Sequence, residues 1–149
     1  MLKIGDRVPA FTAQASDGRT VNFANLRGKP VVVFFFPKAF TYGCNREAAQ
    51  FGMLASQFTE LGAAVFGVSD DDVKTTCDFA TEKGVILLQD AERKVISLFG
   101  VSMPLIDRVK RITFVIDAEG TVREVIDHII QFTRHADDAL SAVRRLARR

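Results

Sequence analysis

Hydrophobic and polar positions change period several times along the chain, and each change marks an element. Val31, Val32, Val33, Phe34, Phe35 and Phe36 form an unbroken β-branched and aromatic run. It lacks the alternation of a half-exposed strand, so it predicts a central strand buried on both faces. Pro37 ends it, because proline has no N–H to give to a ladder. From about Gly43 to Leu61, Ala48, Phe51, Leu54, Ala55, Phe58 and Leu61 recur at helical spacing, and Gly62 suits the C-terminal cap. Residues 63–68 predict the next strand. Residues 71–83 predict a second helix, with acids at its start and Gly84 at its end.

A short strand is expected at 85–88, then a helix capped by Asp90 and ending at Phe99-Gly100. Segments 111–117 and 121–127 read as a hairpin around Ala118-Glu119-Gly120, where glycine supplies a positive φ. A last amphipathic helix carries Ala136, Leu140, Val143 and Ala147 on one face, and the N-terminal stretch reads as short strands around Asp17-Gly18. This order predicts an α/β fold: a central mixed sheet flanked by helices on both faces, with an N-terminal β-hairpin extension. A thioredoxin-like arrangement fits it.

Composition changes this picture little. The 149 residues suit one domain around one core, and 48% hydrophobic with 26% charged residues describes an ordinary soluble protein. A net charge of +2 gives no reason to expect nucleic acid as a partner. Arg144, Arg145, Arg148 and Arg149 close the last helix, where cations favour the macrodipole. The longest apolar run falls far short of the ~20 residues of a membrane helix, and no apolar leader follows Met1, so neither a membrane nor a secretory signal is expected. Two cysteines cannot build a disulfide framework or a four-thiolate zinc site. A cytoplasmic location with reduced thiols is the expectation.

The candidate chemistry lies where the central strand ends. Cys44 falls in the first turn of the following helix, where unpaired N–H groups and the positive end of the dipole favour an anion. Thr41 adds a hydroxyl able to donate to the sulfur or to an incoming oxygen. Pro37 stiffens the entrance, and Phe34, Phe35, Phe36 and Phe40 predict an apolar collar. A thiolate with no histidine beside it suits an electrophile whose leaving group departs easily, as in a peroxide O–O bond; an amide needs a general acid. The alternative is a small buried cysteine with no chemistry.

Pro37, Thr41 and Cys44 stand in the spacing P-x-x-x-T-x-x-C, with Glu47 three residues on, and 111–117 reads R-I-T-F-V-I-D. Together these resemble the active-site signature and later strand of the peroxiredoxins, a resemblance that runs in order along nearly the whole chain. The H-A-D-D-A-L ending at 135–140 is similar to the bacterioferritin-comigratory (PrxQ) group, and F-F-P-x-A-F-T to the AhpE-like one-cysteine group. Tyr42 stands where many PrxQ proteins have proline, a change expected to alter access. The resemblance implies that Cys44 is a peroxidatic thiolate that becomes a sulfenic acid. It implies that Arg111 holds the thiolate charge and orients the peroxide. Thr41 and the N–H groups of Gly43 and Cys44 would then stabilise the reacting oxygens. Without the resemblance, Arg111 reads as a strand arginine with its head in solvent.

The resolving step is open. The position five after Cys44 is Ala49, so that PrxQ route is closed. Cys77 lies in the second helix, where other PrxQ proteins carry a resolving cysteine about one turn later, at the position of Ala80 here. It shares a face with Val73 and Ala80, which should pack on the core. A disulfide needs Cα atoms within ~7 Å, so both helix starts would have to unwind. Cys77 is either the resolving thiol, giving a disulfide that a thioredoxin reduces, or structural in a one-cysteine enzyme reduced by another thiol. Neither route needs a cofactor or a metal. A monomer is expected, with a dimer as the alternative.

A thiol–disulfide oxidoreductase would want C-x-x-C, but Thr41 and Glu47 occupy those positions. A thioredoxin-like binding module that has lost its activity is a further alternative, disfavoured by the retained motif. His128 and His135 read as polar surface residues at the last strand or its exit.

Overall fold

In the computed structural model the chain is described over residues 1–103, 105, 108–128 and 131–147; Arg148 and Arg149 of the expected helix end lie outside the described residues. The elements run β1 (Thr12–Gln14), β2 (Thr20–Asn22), β3 (Val31–Phe35), α1 (Tyr42–Met53), α2 (Ala55–Glu60), β4 (Ala64–Ser69), α3 (Val73–Lys83), β5 (Leu87–Gln89), α4 (Lys94–Phe99), β6 (Ile112–Ile116), β7 (Val122–Ile126) and α5 (Arg134–Ala147). No helix among the described residues is long and apolar enough to cross a membrane.

The 31–36 run does lie at the centre. β3 pairs parallel with β4 and antiparallel with β6 in a five-stranded sheet ordered β5-β4-β3-β6-β7. Every residue of β3 is at most 2% exposed. Successive side chains point to opposite faces, so this one strand feeds two cores. Val31, Val33 and Phe35 join Phe99, Phe114 and the β1–β2 hairpin; Val32, Phe34 and Phe36 join residues of α1, α3 and α5. The rings of Phe34 and Phe51 stack at 4.1 Å and 10°, which pins α1 to the strand. Each phenylalanine buried this way contributes about 2–3 kcal/mol.

Local signals place most ends. Asp72 caps α3 by accepting from the Thr75 N–H at 2.8 Å, and Gly84 ends it at φ +68. Arg93, at φ +61, and not Asp90 holds the N-cap position of α4, but the Asp90 carboxylate still accepts from the first-turn N–H groups of Val95 and Ile96. Gly120, at φ +86, turns β6 into β7.

The helix expected over 43–61 is two helices, broken at Leu54 (φ −93, ψ 2). Gly52 there packs so closely on the Lys83 carbonyl that no side chain fits. The break lets α2 settle on β4 while Phe51 and Phe58 both stay buried. Ala147, assigned to the buried face of the last helix, is exposed; Ala139 and Ala142 occupy that face instead.

Candidate active site

Four elements converge at the C-terminal end of β3. The strand stops at Phe35, although the Phe36 N–H still donates to the Val68 carbonyl, and the chain turns out through half-buried Pro37. Asp71, between β4 and α3, anchors this turn: its Oδ2 accepts from the Ala39 N–H at 2.8 Å and from the Ser69 hydroxyl at 2.6 Å. Phe40 then adopts φ +63, a left-handed conformation that costs about 1–2 kcal/mol for a bulky residue. Its ring is not part of an enclosed collar. It is 47% exposed and lies edge-on against Phe79 of α3.

Thr41 is the N-cap of α1, and the Asn45 N–H is the donor to its carbonyl. The N–H groups of Gly43 and Cys44 are therefore among the first-turn donors without intrahelical acceptors. The Thr41 hydroxyl donates to the Lys38 carbonyl at 2.7 Å, whereas the sequence reading aimed it at the sulfur or the incoming oxygen. Cys44 is 1% exposed, as a helix position in register with Ala48 and Phe51 dictates.

Arg111, one residue before β6, reaches this sulfur. The β3–β6 register pairs Phe35 with Ile112, so residue 111 arrives level with the loop mouth. Its Nη2 lies 3.4 Å from Cys44 Sγ and its Nη1 donates to Glu47 Oε1 at 2.8 Å. The side chain is only 12% exposed, so the reading of a solvated strand arginine does not hold. Phe132 covers the guanidinium at 4.8 Å, a cation–π contact. Gly43 makes room for that ring: a Cβ there would stand 2.6 Å from it.

Behind Arg111 lies a buried polar group that the sequence reading left without a role. Glu47 is 0% exposed, and burial pushes its carboxyl up to about 8 against the pull of Arg111. His135, assigned above to the surface, is also 0% exposed, and burial pushes its ring down to about 4. Its Nε2 faces the His128 carbonyl at 2.8 Å and its Nδ1 the Thr113 hydroxyl at 2.8 Å. Spacing held the correction: His135, Ala139 and Ala142 lie at i, i+4 and i+7 on one helical stripe, so the histidine shares the buried face. His128 is half-buried and meets Asp138 at 2.7 Å.

Cys77 is apart from this cluster. It is half-buried on α3, with Gln89 Nε2 4.0 Å from its sulfur. The face it shares with Val73 and Ala80 is only partly core, for Ala80 is 5% exposed and Val73 54%. Both cysteines are free thiols.

A thioredoxin-like sheet carrying a cysteine at a helix start, with an arginine on its sulfur, defines a class of thiol peroxidases, and the chain belongs to the AhpC/TSA family, which it matches over residues 4–125. Within it the chain is a peroxiredoxin of the PrxQ or bacterioferritin-comigratory type, a thiol-dependent peroxidase. It is 33% identical over 145 residues to the chloroplastic peroxiredoxin Q of Populus jackii, spanning 95% of this chain and 68% of that protein. The crystal structure of peroxidoxin BcpB from Mycobacterium tuberculosis superposes with a TM-score of 0.89 at 38% identity, covering 98% and 99% of the two chains. A Xanthomonas campestris bacterioferritin comigratory protein, described for its alkyl peroxide reduction activity, gives 0.84 at 27% identity, covering 92% of each.

Proposed function

We propose that Cys44 is the peroxidatic group and that it reduces hydrogen peroxide and organic hydroperoxides. The observation that carries this reading is the single guanidinium of Arg111, which touches Cys44 Sγ and is held by Glu47 in a site closed by Phe132. The thiolate attacks the terminal oxygen of the peroxide. The O–O bond breaks, the sulfur becomes a sulfenic acid, and the alkoxide leaves and takes up a proton. Arg111 and the N–H groups of Gly43 and Cys44 meet the charge as it moves onto oxygen.

A cavity of about 410 Å³ adjoins the site, lined by Pro37, Met103, Val109, Lys110 and Arg111 among others. Its apolar wall supports organic hydroperoxides as substrates, the class named for the Xanthomonas protein. In this reading Cys77 attacks the sulfenic sulfur, water leaves, and a thioredoxin-type dithiol reduces the resulting disulfide in the cytoplasm. The partial exposure of Cys77 supports this assignment. Burial of Cys44 means that the first turn of α1 must open for the two sulfurs to meet.

The test is peroxide turnover and intact mass after one equivalent of peroxide. Cys44→Ser should lose turnover; retained activity refutes the reading. A loss of two hydrogens that disappears in Cys77→Ser supports the Cys44–Cys77 bridge. Gain of one oxygen in the unmutated chain assigns a one-cysteine cycle with an external thiol.

A further inference from the structure

His135 is fully buried two shells behind the sulfur, and its protons can be placed. The His128 carbonyl 2.8 Å from Nε2 can only accept, so Nε2 carries the ring's hydrogen. Burial keeps the ring neutral, so Nδ1 holds a lone pair, which the Thr113 hydroxyl meets at 2.8 Å as donor. Glu47 Oε2 faces the same Nδ1 at 3.5 Å, is wholly buried and has no hydrogen-bond partner. An ionised Oε2 would set its electrons against those of the ring with no donor between them. A proton on Oε2 removes that opposition and points a donor at the one lone pair of Nδ1, which it shares with the Thr113 hydroxyl, while Oε1 goes on accepting from Arg111.

We infer that His135 is a positioning residue of the peroxidase: it keeps Glu47 in its neutral form and so leaves the charge of Arg111 to the Cys44 sulfur. One guanidinium serves two acidic groups, Glu47 through Nη1 and Cys44 through Nη2. Two anions around one cation in a buried site oppose each other, so their ionisations are coupled. The neighbour that disfavours a carboxylate at Glu47 thereby favours the thiolate.

The charged and titratable groups facing this pair are few among the described residues. Arg111 comes from the segment before β6, Cys44 from α1, and His128 and Asp127 from the segment after β7; Asp138 of α5 meets His128 and Arg134. The inference rests on Cys44 being the peroxidatic group, but the experiment uses no peroxide.

In a Cys77→Ser background, carbon-13 carboxyl resonances identify Glu47 by subtraction of Glu47→Gln, while alkylation rates report the Cys44 thiolate. At ~pH 7 the Glu47 signal should be that of a protonated acid. His135→Gln, whose amide can donate to Oε2, should ionise Glu47 at that pH. It should also move the Cys44 titration up by about one pH unit, about tenfold in thiolate on the acid limb. With Glu47→Gln also present, His135→Gln should leave the Cys44 titration in place. A purely structural role would shift Cys44 equally in both backgrounds, which overturns the inference, as does an ionised Glu47 in the parent. Should His135→Gln not fold, Thr113→Val decides: freeing Nδ1 for the Glu47 proton should raise the Glu47 midpoint, and an unchanged or lower midpoint refutes the proposal. Failure here leaves the Cys44→Ser result untouched, so the two readings fall separately.

Discussion

Glu47→Gln isolates the energetic consequence of burying a carboxyl behind Arg111. An unfolded chain releases the Glu47 proton near 4.5, whereas the folded chain holds it to about 8. Between those values the folded state binds the extra proton, so this group's contribution is complete below 4.5 and is lost as pH rises toward 8. His135 acts in the opposite sense. Its unfolded ring takes a proton near 6.5 and its folded ring only near 4, so stability is lost as pH falls through that window. From 4.5 to 6.5 the two slopes oppose and cancel.

Above 6.5 only the Glu47 limb remains, and it runs for about 1.5 pH units at about 1.36 kcal/mol per unit, a fall of about 2 kcal/mol. Urea unfolding at intervals between ~pH 6.5 and ~8 reads it directly, since 2 kcal/mol displaces a midpoint by about 1 M at the usual slope for a small protein. The parent midpoint should fall across that range and the Glu47→Gln midpoint should stay level. Below 6.5 the variant, keeping only the His135 limb, should lose stability toward pH 4.5 where the parent does not. Parallel curves for the two proteins between 6.5 and 8 would refute the argument, for they would place the titrating group elsewhere.

Two glycines test close packing, Gly43 at the site and Gly52 where α1 meets the end of α3. Gly43→Ala pushes the Phe132 ring, 2.6 Å from the added methyl, off the Arg111 guanidinium; stopped-flow oxidation of Cys44 should slow about 3–10-fold while stability changes by under about 1 kcal/mol. Gly52→Ala drives a methyl into the Lys83 backbone carbonyl, which cannot rotate away, so urea unfolding should show a loss of about 1–3 kcal/mol or more. Asp71→Ala leaves the Ala39 N–H and the Ser69 hydroxyl without their acceptor, a cost of about 1–3 kcal/mol, and hydrogen exchange at Ala39 should accelerate while Asp71→Asn has a smaller effect.

How far the site was legible follows from the range over which each residue is positioned. Cys44 was legible because strand end, proline, cap and helix start are consecutive, and a first-turn position follows from counting. Arg111 was not, on residue type alone: what puts it on the sulfur is the antiparallel register of β6 against β3, and an isolated arginine before a strand reads equally well as solvated. Only its place in a motif pointed to the sulfur. Leu54 misled because helical spacing continues through it, while the break answers to the Lys83 backbone from a different helix.

Glu47 and His135 were legible in half. Glu47 falls between Cys44 and the buried pair Ala48 and Phe51, and His135 precedes Ala139 and Ala142, so helical periodicity places both on core faces of helices. A buried polar group must find a partner or give up its charge. Periodicity therefore implies that each is paired or neutral, without saying which. That choice belongs to the groups across the gap: a guanidinium for one oxygen of Glu47 and, for the other, a ring nitrogen whose single hydrogen points away from it. Those partners come from the segment before β6 and from α5, so the protonation state of the site is a tertiary property even where its burial is a local one.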